Sequence, residues 1–279
     1  MSTPRVAAIH DMSGFGRCSL TVAIPVLSSM GVQCCPLPTA FLSTHTGGFE
    51  GYTFLDMTDE MPAIAAHWQS LELRFDAIYS GFMGSERQMD IVADFIRAFR
   101  RPGETAVVID PVMGDFGQSY ATYTPAMCAA MARLATLADV ITPNLTEASF
   151  LLQQPYDSLP TDEAGFRRIV ESLSLEGKRS VVLTGVSLSP ATIGAACFDA
   201  GTGRTDFVQS PREEREFTGT GDVFASVLTG ALVQGRSLLE AAGEAADFVS
   251  RCAHRTAEEG LPRREGVDFE PLLWTLRRP

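Results

Sequence analysis

The stretch TAVVIDPVMGD, residues 105–115, decides the fold of this chain. It joins a short, β-branched apolar run to an acid, Asp110, and then to a turn that contains proline and glycine. A run of this length that is bounded by turn residues is typical of a buried strand. Segments long enough for helices flank it at 86–100 and 124–137. A strand between two helices is the repeating unit of a parallel sheet, so this stretch predicts an α/β fold.

The same alternation of strand and helix extends through most of the chain. A helix is predicted at 161–177, where Phe166, Ile169 and Leu173 recur at helical spacing. Right-handed crossovers between the strands would place helices on both faces of a mostly parallel sheet. The other apolar runs with the composition of buried strands are RVAAIH (5–10), VQCCPL (32–37), DAIYSG (76–81), DVITPN (139–144) and SVVLTG (180–185).

The last third of the chain departs from this alternation. The runs ATIGAACF (191–198) and RTDFVQ (204–209) follow each other without a helix, and the turn-rich DAGTGR lies between them. This pattern predicts a hairpin that extends the sheet. Helical patterns dominate from residue 218 onward. No internal repeat or composition break marks a linker, so we expect one domain over residues 1–279.

Composition narrows the class of protein. Of the 279 residues, 45% are hydrophobic, which is enough for a large core, and the net charge is −12. The acidic balance, without any basic run interleaved with aromatics, argues against nucleic acid as a partner. The apolar run near the N-terminus is too short for a signal peptide or a membrane span. We therefore expect a cytoplasmic protein with no membrane partner.

Six cysteines are scattered along the chain without any C-x-x-C pair, and the four histidines do not cluster with them. This spacing argues against a structural zinc site and favours buried free thiols in a reducing compartment. The adjacent pair Cys34 and Cys35 has no assigned role.

Chemically informative residues follow the predicted strands. In a parallel sheet the carboxyl ends of the strands meet at one edge, and ligands bind along that edge in open α/β folds. The acids Asp11, Asp110, Glu147 and Asp222 are distant in sequence but are expected to converge there. The motifs that follow the strands are HDMSGFGR, GFMGS, DPVMGD, TPNLTE and LTG.

Each motif taken alone has an ordinary structural interpretation. GFGRCS (14–19) resembles a dinucleotide fingerprint but has Ser19 in place of the third glycine, and no acid follows about twenty residues later. No P-loop motif occurs in the chain. NLTE could simply cap a helix through Asn144 or Thr146, and His10 and His45 could be loop residues. The order and spacing of the motifs together carry the signal.

The segments DPVMGD, TPNLTEA and FTGTGDVFAS, in that order, resemble the ribokinase-like superfamily of small-molecule kinases. FLSTHTGG (41–48) and YSGFMGS (79–85) are similar to segments of its pyridoxal kinase branch. The resemblance covers about residues 5–260. It implies a three-layer α/β/α fold with no separate lid domain, ATP with Mg²⁺, a vitamin B6 acceptor and a homodimer. A monovalent cation is left open.

The phosphoryl-transfer centre is expected at EFTGTGDVFAS, residues 216–226. The amides of Gly219, Thr220 and Gly221, together with the dipole of a helix predicted at 222–234, could hold phosphoryl oxygens as an anion hole. Asp222 would then face the acceptor hydroxyl and take its proton as a general base. Such a division of roles explains why an acid stands in a turn that otherwise suits an anion.

The resemblance also implies the residues of the nucleotide and metal sites. Asp110 and Glu147 would organise Mg²⁺, largely through water, because this ion keeps much of its hydration shell. The loop DFGQSYATY (115–123) resembles a flap over ATP. The residues assigned to the nucleotide are Asp110, Asn144, Glu147, Thr184, Thr218 and Tyr120.

On the acceptor side, the resemblance implies contacts from Asp11, His45, Thr46 and Phe82. Asp11 replaces a serine of the family pattern and Phe82 replaces a tyrosine, so the sequence leaves the vitamer open. A carboxylate at Asp11 could pair with a protonated pyridine nitrogen, a ring hydroxyl, an amine or a sugar diol. The alternatives are a hydroxymethylpyrimidine kinase, a sugar or nucleoside kinase, and a non-catalytic binding protein on the same fold.

Overall fold

The structure, a computed structural model, describes residues 3–277 and contains one large sheet between two layers of helices. The strands are β1 (Arg5–Ser13), β2 (Gln33–Leu42), β3 (Phe54–Asp56), β4 (Ala77–Ser80), β5 (Ala106–Ile109), β6 (Gly114–Asp115), β7 (Gln118–Ser119), β8 (Val140–Ile141), β9 (Ser180–Val186), β10 (Thr192–Asp199) and β11 (Arg204–Pro211). The α-helices are α1 (Ser19–Ser29), α2 (Met61–Ser70), α3 (Glu86–Phe99), α4 (Pro125–Ala135), α5 (Leu145–Leu152), α6 (Glu163–Leu173), α7 (Thr220–Val233) and α8 (Leu238–Glu258). Three short 3₁₀ helices span Tyr156–Ser158, Arg263–Glu265 and Glu270–Leu276.

The sheet has the order β11-β10-β9-β8-β5-β4-β1-β2-β3. The strands from β9 through β2 are parallel, while β10, β11 and β3 are antiparallel to their neighbours. The predicted mostly parallel α/β sheet and its hairpin extension are therefore confirmed. Successive strands are added on opposite sides of β1, so a switch point lies between β1 and β4. A crevice at the carboxyl ends of such strands is where ligands bind in this class of fold.

Two apolar clusters fill the spaces on the two faces of the sheet. Adjacent residues of one strand alternate between them: Tyr79 belongs to the cluster under α1, α7 and α8, and Ile78 to the cluster under α2–α6. Helix α7 is buried along most of its length, from Val223 to Ala231. The carboxyl edge of the sheet is thus formed by strands that are packed on both faces, and α7, which begins at this edge, is buried as well.

Several predicted boundaries are wrong by a few residues. Strand β1 continues to Ser13, because β2 runs on to Leu42 and pairs with its last residues across a register shift between His10 and Met12. Asp11 therefore lies within the strand rather than after it. Helix α6 ends at Leu173, before Leu175 and Glu176, both of which have positive φ. Helices α1 and α2 and strands β3, β6 and β7 had no predicted counterpart, and α5 was anticipated only through the capping interpretation of NLTE.

Side chains set where most of the helices begin. In α3, α4, α5, α6 and α8, a polar side chain at the N-cap accepts a hydrogen bond from an amide of the first turn. Helix α7 differs, because its N-cap is Gly219, which has no side chain to cap with. This helix also begins at Thr220, two residues before the predicted start. Helix α2 also has no side-chain cap, although its N-cap is Glu60, whereas the glycine N-cap of α7 lies where the sequence predicts the anion hole.

Candidate active site

The N-terminus of α7 is an open helix end. Gly219 has φ +76°, and a Cβ at this position would lie 2.0 Å from the carbonyl oxygen of Arg17, so only glycine fits. The first amides of a helix have no partner within it. Among residues 3–277, no acceptor is found for the amides of Gly219, Thr220 and Gly221. Space around Gly221 is open, with no atom within 4 Å of a built Cβ. These amides are available to an anion.

Asp222 follows directly in the first turn of α7, where it is partly buried. The backbone amide of Ser19 donates a hydrogen bond to it. Burial, together with the nearby carboxyls of Asp110 and Asp11, raises the pKa of Asp222 to about 8. The carboxyl thus lies beside two other acids from two different strands, as expected from the sequence. A base with such a pKa is poised near neutral pH.

Asp11 is held by two hydroxyls. Ser13 Oγ donates to Oδ2 at 2.9 Å, and Ser19 Oγ donates to Oδ1 at 2.5 Å. Burial raises the pKa of Asp11, and these two hydrogen bonds partly offset the shift. Ser19 also has a positive φ of 49°, a conformation that is rare for a residue other than glycine and is often found at functional sites. Through its hydroxyl and its amide, Ser19 links Asp11 to Asp222.

Asp110 and Glu147 form a second pair of buried acids. Thr142 Oγ1 donates to Asp110 Oδ1 at 2.9 Å, and the amide of Met113 donates to Glu147 Oε1 at 3.2 Å. Burial raises the pKa of both carboxyls, and the charge of Asp110 raises that of Glu147 further. Two carboxyls in this position repel each other when ionised. The pair therefore favours either a shared proton or a bound cation.

Glu147 is at the same time part of a capping box. Its Oε2 accepts from the amide of Asn144 at 2.8 Å, and Asn144 Oδ1 accepts from the amide of Glu147 at 2.9 Å. The structural interpretation of NLTE as a helix cap is thus confirmed, with Asn144 as the N-cap. Capping does not exclude a role toward a metal, because each carboxylate oxygen has more than one acceptor site.

The donor set fits a hydrated Mg²⁺ rather than a closed metal cage. Within the described part of the chain, no group of three or more His, Cys, Asp or Glu side chains is arranged to hold a metal ion. Mg²⁺ is commonly held by one or two carboxylates together with water and substrate phosphates. Asp110 and Glu147 provide that number of oxygen ligands, and their mutual repulsion would be relieved by a divalent charge.

The predicted flap, residues 115–123, contains the small hairpin β6–β7 except for its first residue, Gly114. Its turn is tied to the start of α5: Asn144 Nδ2 donates to the carbonyl of Gly114 at 2.9 Å, and the amide of Gly117 donates to Thr146 Oγ1 at 2.9 Å. Tyr120 keeps 41% of its surface exposed, and the burial of the remainder raises its pKa, with the nearby carboxyl of Glu147 adding to the effect. The predicted flap aromatic therefore lies close to the acids.

The two predicted threonines of the nucleotide site lie on different elements. Thr184 lies within β9, not after it, and both its amide and its hydroxyl point to the carbonyl of Pro143, at 2.9 and 3.4 Å. Thr218 directly precedes the open end of α7, and its amide and hydroxyl both donate to the carbonyl of Arg263, at 3.3 and 3.1 Å.

Thr46, His45 and Phe82, which were predicted to bind the acceptor, lie in three different surroundings. Thr46 lines a cleft of about 590 Å³. His45 has both ring nitrogens occupied by backbone groups, the carbonyl of Arg264 at 2.6 Å and the amide of Gly47 at 3.0 Å. Phe82 is partly buried, and the centroid of its ring lies 6.0 Å from that of Tyr123. The cleft that contains Thr46 is further lined by Gly48, Phe49, Glu50 and Arg264.

Sequence reasoning missed the residues that orient the acids. Ser13, Ser19 and Thr142 each donate a hydroxyl to a predicted site carboxylate. The only sequence signal for Ser19 is its place in GFGRCS, where it interrupts a glycine pattern. The segment 262–266 also had no assigned role, although its carbonyls contact two predicted site residues, His45 and Thr218.

Comparison with known protein families and solved structures found several similar proteins. The family model described as phosphomethylpyrimidine kinase matches residues 23–264. A Bacteroides thetaiotaomicron protein assigned as a phosphomethylpyrimidine kinase and crystallised with pyridoxal superposes with a TM-score of 0.93. The two chains are 44% identical, and the match covers 99% of this chain and 96% of that one.

Two pyridoxal kinases are also similar. The crystal structure of the Lactobacillus plantarum pyridoxal kinase has a TM-score of 0.90 and 30% identity, and covers 99% of this chain and 97% of its own. A pyridoxal kinase of Leifsonia xyli is 28% identical over 238 residues, which are 82% of this chain and 81% of that protein. A search of the described helices found none that is long and apolar enough to cross a bilayer.

Proposed function

The chain belongs to the phosphomethylpyrimidine kinase family, and on that premise we propose that it transfers a phosphoryl group from ATP to the 5′-hydroxymethyl group of a vitamin B6 vitamer. Pyridoxal, pyridoxamine and pyridoxine are the candidate acceptors. A single observation carries the proposal: the carboxyl of Asp222 lies near those of Asp110 and Asp11, in the same helix turn as the open amides of Gly219 and Gly221. The Bacteroides thetaiotaomicron protein crystallised with pyridoxal and the Lactobacillus plantarum pyridoxal kinase support the acceptor class.

Asp222 acts as the general base on the acceptor hydroxyl. Its pKa of about 8 means that it can hold the transferred proton near neutral pH, and base catalysis of this kind contributes roughly 10²–10⁴-fold. The amide of Ser19 holds the carboxyl in place. The amides of Gly219, Thr220 and Gly221 bind the oxygens of the migrating phosphoryl group. Preorganised amides stabilise the charge of the transition state without having to reorganise.

Asp110 and Glu147 hold Mg²⁺, and the ion supplies charge neutralisation at the ATP phosphates. Asn144, Thr184 and Thr218 contribute to the nucleotide-binding side, and Tyr120 covers it from the flap. The tie between the flap and α5 supports the assignment, because it joins the covering element to the helix that carries Glu147. The flap would cover the nucleotide without a separate lid domain.

Asp11, Thr46 and Phe82 form the acceptor side, and His45 lies in the same loop as Thr46 with both ring nitrogens bonded to backbone groups. The carboxyl of Asp11, whose pKa is raised, can bind a pyridine nitrogen or a ring hydroxyl of the vitamer. The cleft beside Thr46 provides the volume for a small aromatic ring. A hydroxymethylpyrimidine or its phosphate is the second candidate acceptor, favoured by the description of the matching family.

The proposal is tested by ATP consumption with a panel of acceptors: the three B6 vitamers, hydroxymethylpyrimidine and ribose. We expect turnover with at least one vitamer and its loss in the Asp222→Asn variant. Preferential use of hydroxymethylpyrimidine would move the assignment to the second candidate. Consumption of ATP with none of the five would leave the fold but overturn the kinase proposal.

A homodimer in the cytoplasm completes the proposal. Phe41, Phe54 and Leu55 are exposed on the pair of strands β2 and β3 at one edge of the sheet, and a second copy of the chain would cover them. Light scattering on the purified protein should give twice the chain mass of 30.1 kDa. All six cysteines are free thiols, which supports a reducing compartment.

A further inference from the structure

Three consecutive backbone carbonyls bring together three loops of the site. We call residues 262–266 the strap. The carbonyl of Arg263 accepts from the amide and hydroxyl of Thr218, that of Arg264 from Nε2 of His45 at 2.6 Å, and that of Glu265 from the amide of Arg17 at 3.1 Å. The three donors belong to the loop before α7, the loop after β2 and the loop after β1.

The strap is itself anchored on α8 and on the loop after β1. Gly266 has φ +84°, and a Cβ there would lie 2.7 Å from Cβ of Arg17, so a larger residue would push the two segments apart. Asp268 pairs with Arg17 at 2.9 Å and with Arg255 of α8 at 3.0 Å. Its amide donates to Thr256 Oγ1 at 2.8 Å. The contacts of Asp268 with Arg255 and Thr256 tie the end of the strap to α8, which is not one of the loops that the strap binds.

The hydrogen bonds of His45 define the tautomer of its ring. Nε2 faces a carbonyl and must donate, while Nδ1 accepts from the amide of Gly47, so the ring is the neutral Nε2–H tautomer. The ring also packs against Gly16, where a Cβ would lie 2.2 Å from Cδ2 of His45. Neither ring nitrogen is left for a substrate in this arrangement.

We propose that the strap is a positioning element, and that His45 is a positioning residue rather than an acceptor ligand. This inference rests on the proposed kinase function. Phosphoryl transfer requires the acceptor hydroxyl, the base and the phosphoryl group to be aligned. The strap holds the loop that contains Thr46 against the loop that opens α7. His45 makes the side-chain link between the acceptor loop and the strap.

Two substitutions separate the two hydrogen bonds of His45. In His45→Gln, the side-chain amide can still donate near the position of Nε2, so the bond to the strap is retained. In His45→Asn, the shorter side chain can accept from Gly47 but does not reach Arg264. His67→Gln, at an exposed position on α2, is the matched control.

We expect His45→Asn to lower kcat roughly tenfold or more, with the KM for ATP unchanged, because the loss of one hydrogen bond misaligns the reacting groups. His45→Gln should retain most of the kcat. A direct acceptor ligand would behave differently: both variants would raise the acceptor KM with kcat unchanged. That result would overturn the proposal.

Amide hydrogen exchange tests the strap without requiring any activity. In His45→Asn, residues 216–221 and 262–266 should exchange faster than in the wild type, as well as residues 43–49. Faster exchange confined to residues 43–49 would show that the strap does not couple the loops. If the wild type phosphorylates none of the panel acceptors while the exchange pattern holds, the proposed function fails and the positioning role of the strap stands.

Discussion

Helices α5 and α7 both begin at the carboxyl edge of the sheet, but their N-termini are built in opposite ways. The first turn of α5 is closed by the reciprocal bonds of Asn144 and Glu147. The first turn of α7 begins at Gly219, and its amides have no protein acceptor among residues 3–277. A closed helix end holds an acid in a fixed place, whereas an open end leaves donors for an anion. In the proposed function, α5 would serve the metal and α7 the phosphate.

The open end of α7 has an energetic cost that packing offsets. A side-chain cap typically stabilises a helix by about 1 kcal/mol, and α7 has none. Its residues from Val223 to Ala231 are all buried between the sheet and the neighbouring helices α1 and α8. Burial of large apolar side chains contributes about 1.5–3 kcal/mol each, so the missing cap is affordable. The following predictions test this comparison, beginning with the largest effect.

Asp222→Asn should lower kcat by roughly 10²–10⁴-fold, because an amide cannot take the acceptor proton. Binding of the nucleotide should change little, since the amides of the first turn remain. Steady-state kinetics gives the first quantity and isothermal titration with an ATP analogue gives the second. A near-normal kcat would remove Asp222 from the role of base.

Gly219→Ala should destabilise the protein by roughly 1–3 kcal/mol or more, because φ is +76° and the new Cβ would meet the carbonyl oxygen of Arg17. Gly221→Ala is the matched substitution two residues later. Its Cβ meets no atom, and alanine favours a helix over glycine by roughly 0.5–1 kcal/mol, so stability should hold or rise. Urea unfolding of both variants measures the difference. Equal losses would contradict the constraint argued for Gly219.

Glu147→Ala should raise the Mg²⁺ concentration needed for half-maximal activity several-fold and lower stability by about 1 kcal/mol through the broken capping box. Asn144→Ala provides the comparison, since it removes the cap and keeps the acid. If both variants have the same Mg²⁺ requirement as the wild type, Glu147 serves α5 alone.

The acids of the site should make the unliganded protein less stable as pH rises. The pKa of Asp222 is raised from 3.8 to about 8, so between these values the folded protein keeps a proton that the unfolded chain has released. The stabilisation is fully present below the unfolded pKa and is lost as pH rises through the folded one. Asp110 and Glu147 shift in the same direction. From pH 5 to pH 8.5, Tm should fall by about 3 °C or more.

The Asp222→Asn variant isolates this effect, since its amide does not titrate. Its Tm should fall less over the same range than that of the wild type. Saturating Mg²⁺ should also reduce the slope by favouring the ionised carboxyls. An identical slope in both proteins would show that Asp222 is not the group responsible.

Much of the fold and part of the site follow from sequence pattern. The apolar runs and the acids that follow them predicted a parallel sheet with a functional edge, and Asp11, Asp110 and Asp222 do lie near one another. The orientation of these acids could not be predicted, because it depends on hydroxyls such as Ser19 and Thr142 from other segments. The role of the strap could not be predicted either, because it acts through backbone carbonyls, which every residue possesses.

The amino-acid sequence by itself determined the alternation of strands and helices, the glycine-rich start of α7 and the chemical identity of the site acids. These are local properties, because they depend on the spacing of hydrophobic residues along the chain and on residue type. Only the tertiary structure decided how far β1 extends, which helix N-termini are capped by side chains and which groups His45 bonds to. Those outcomes depend on groups that lie far apart along the chain and become neighbours only when the sheet and its two helix layers pack together.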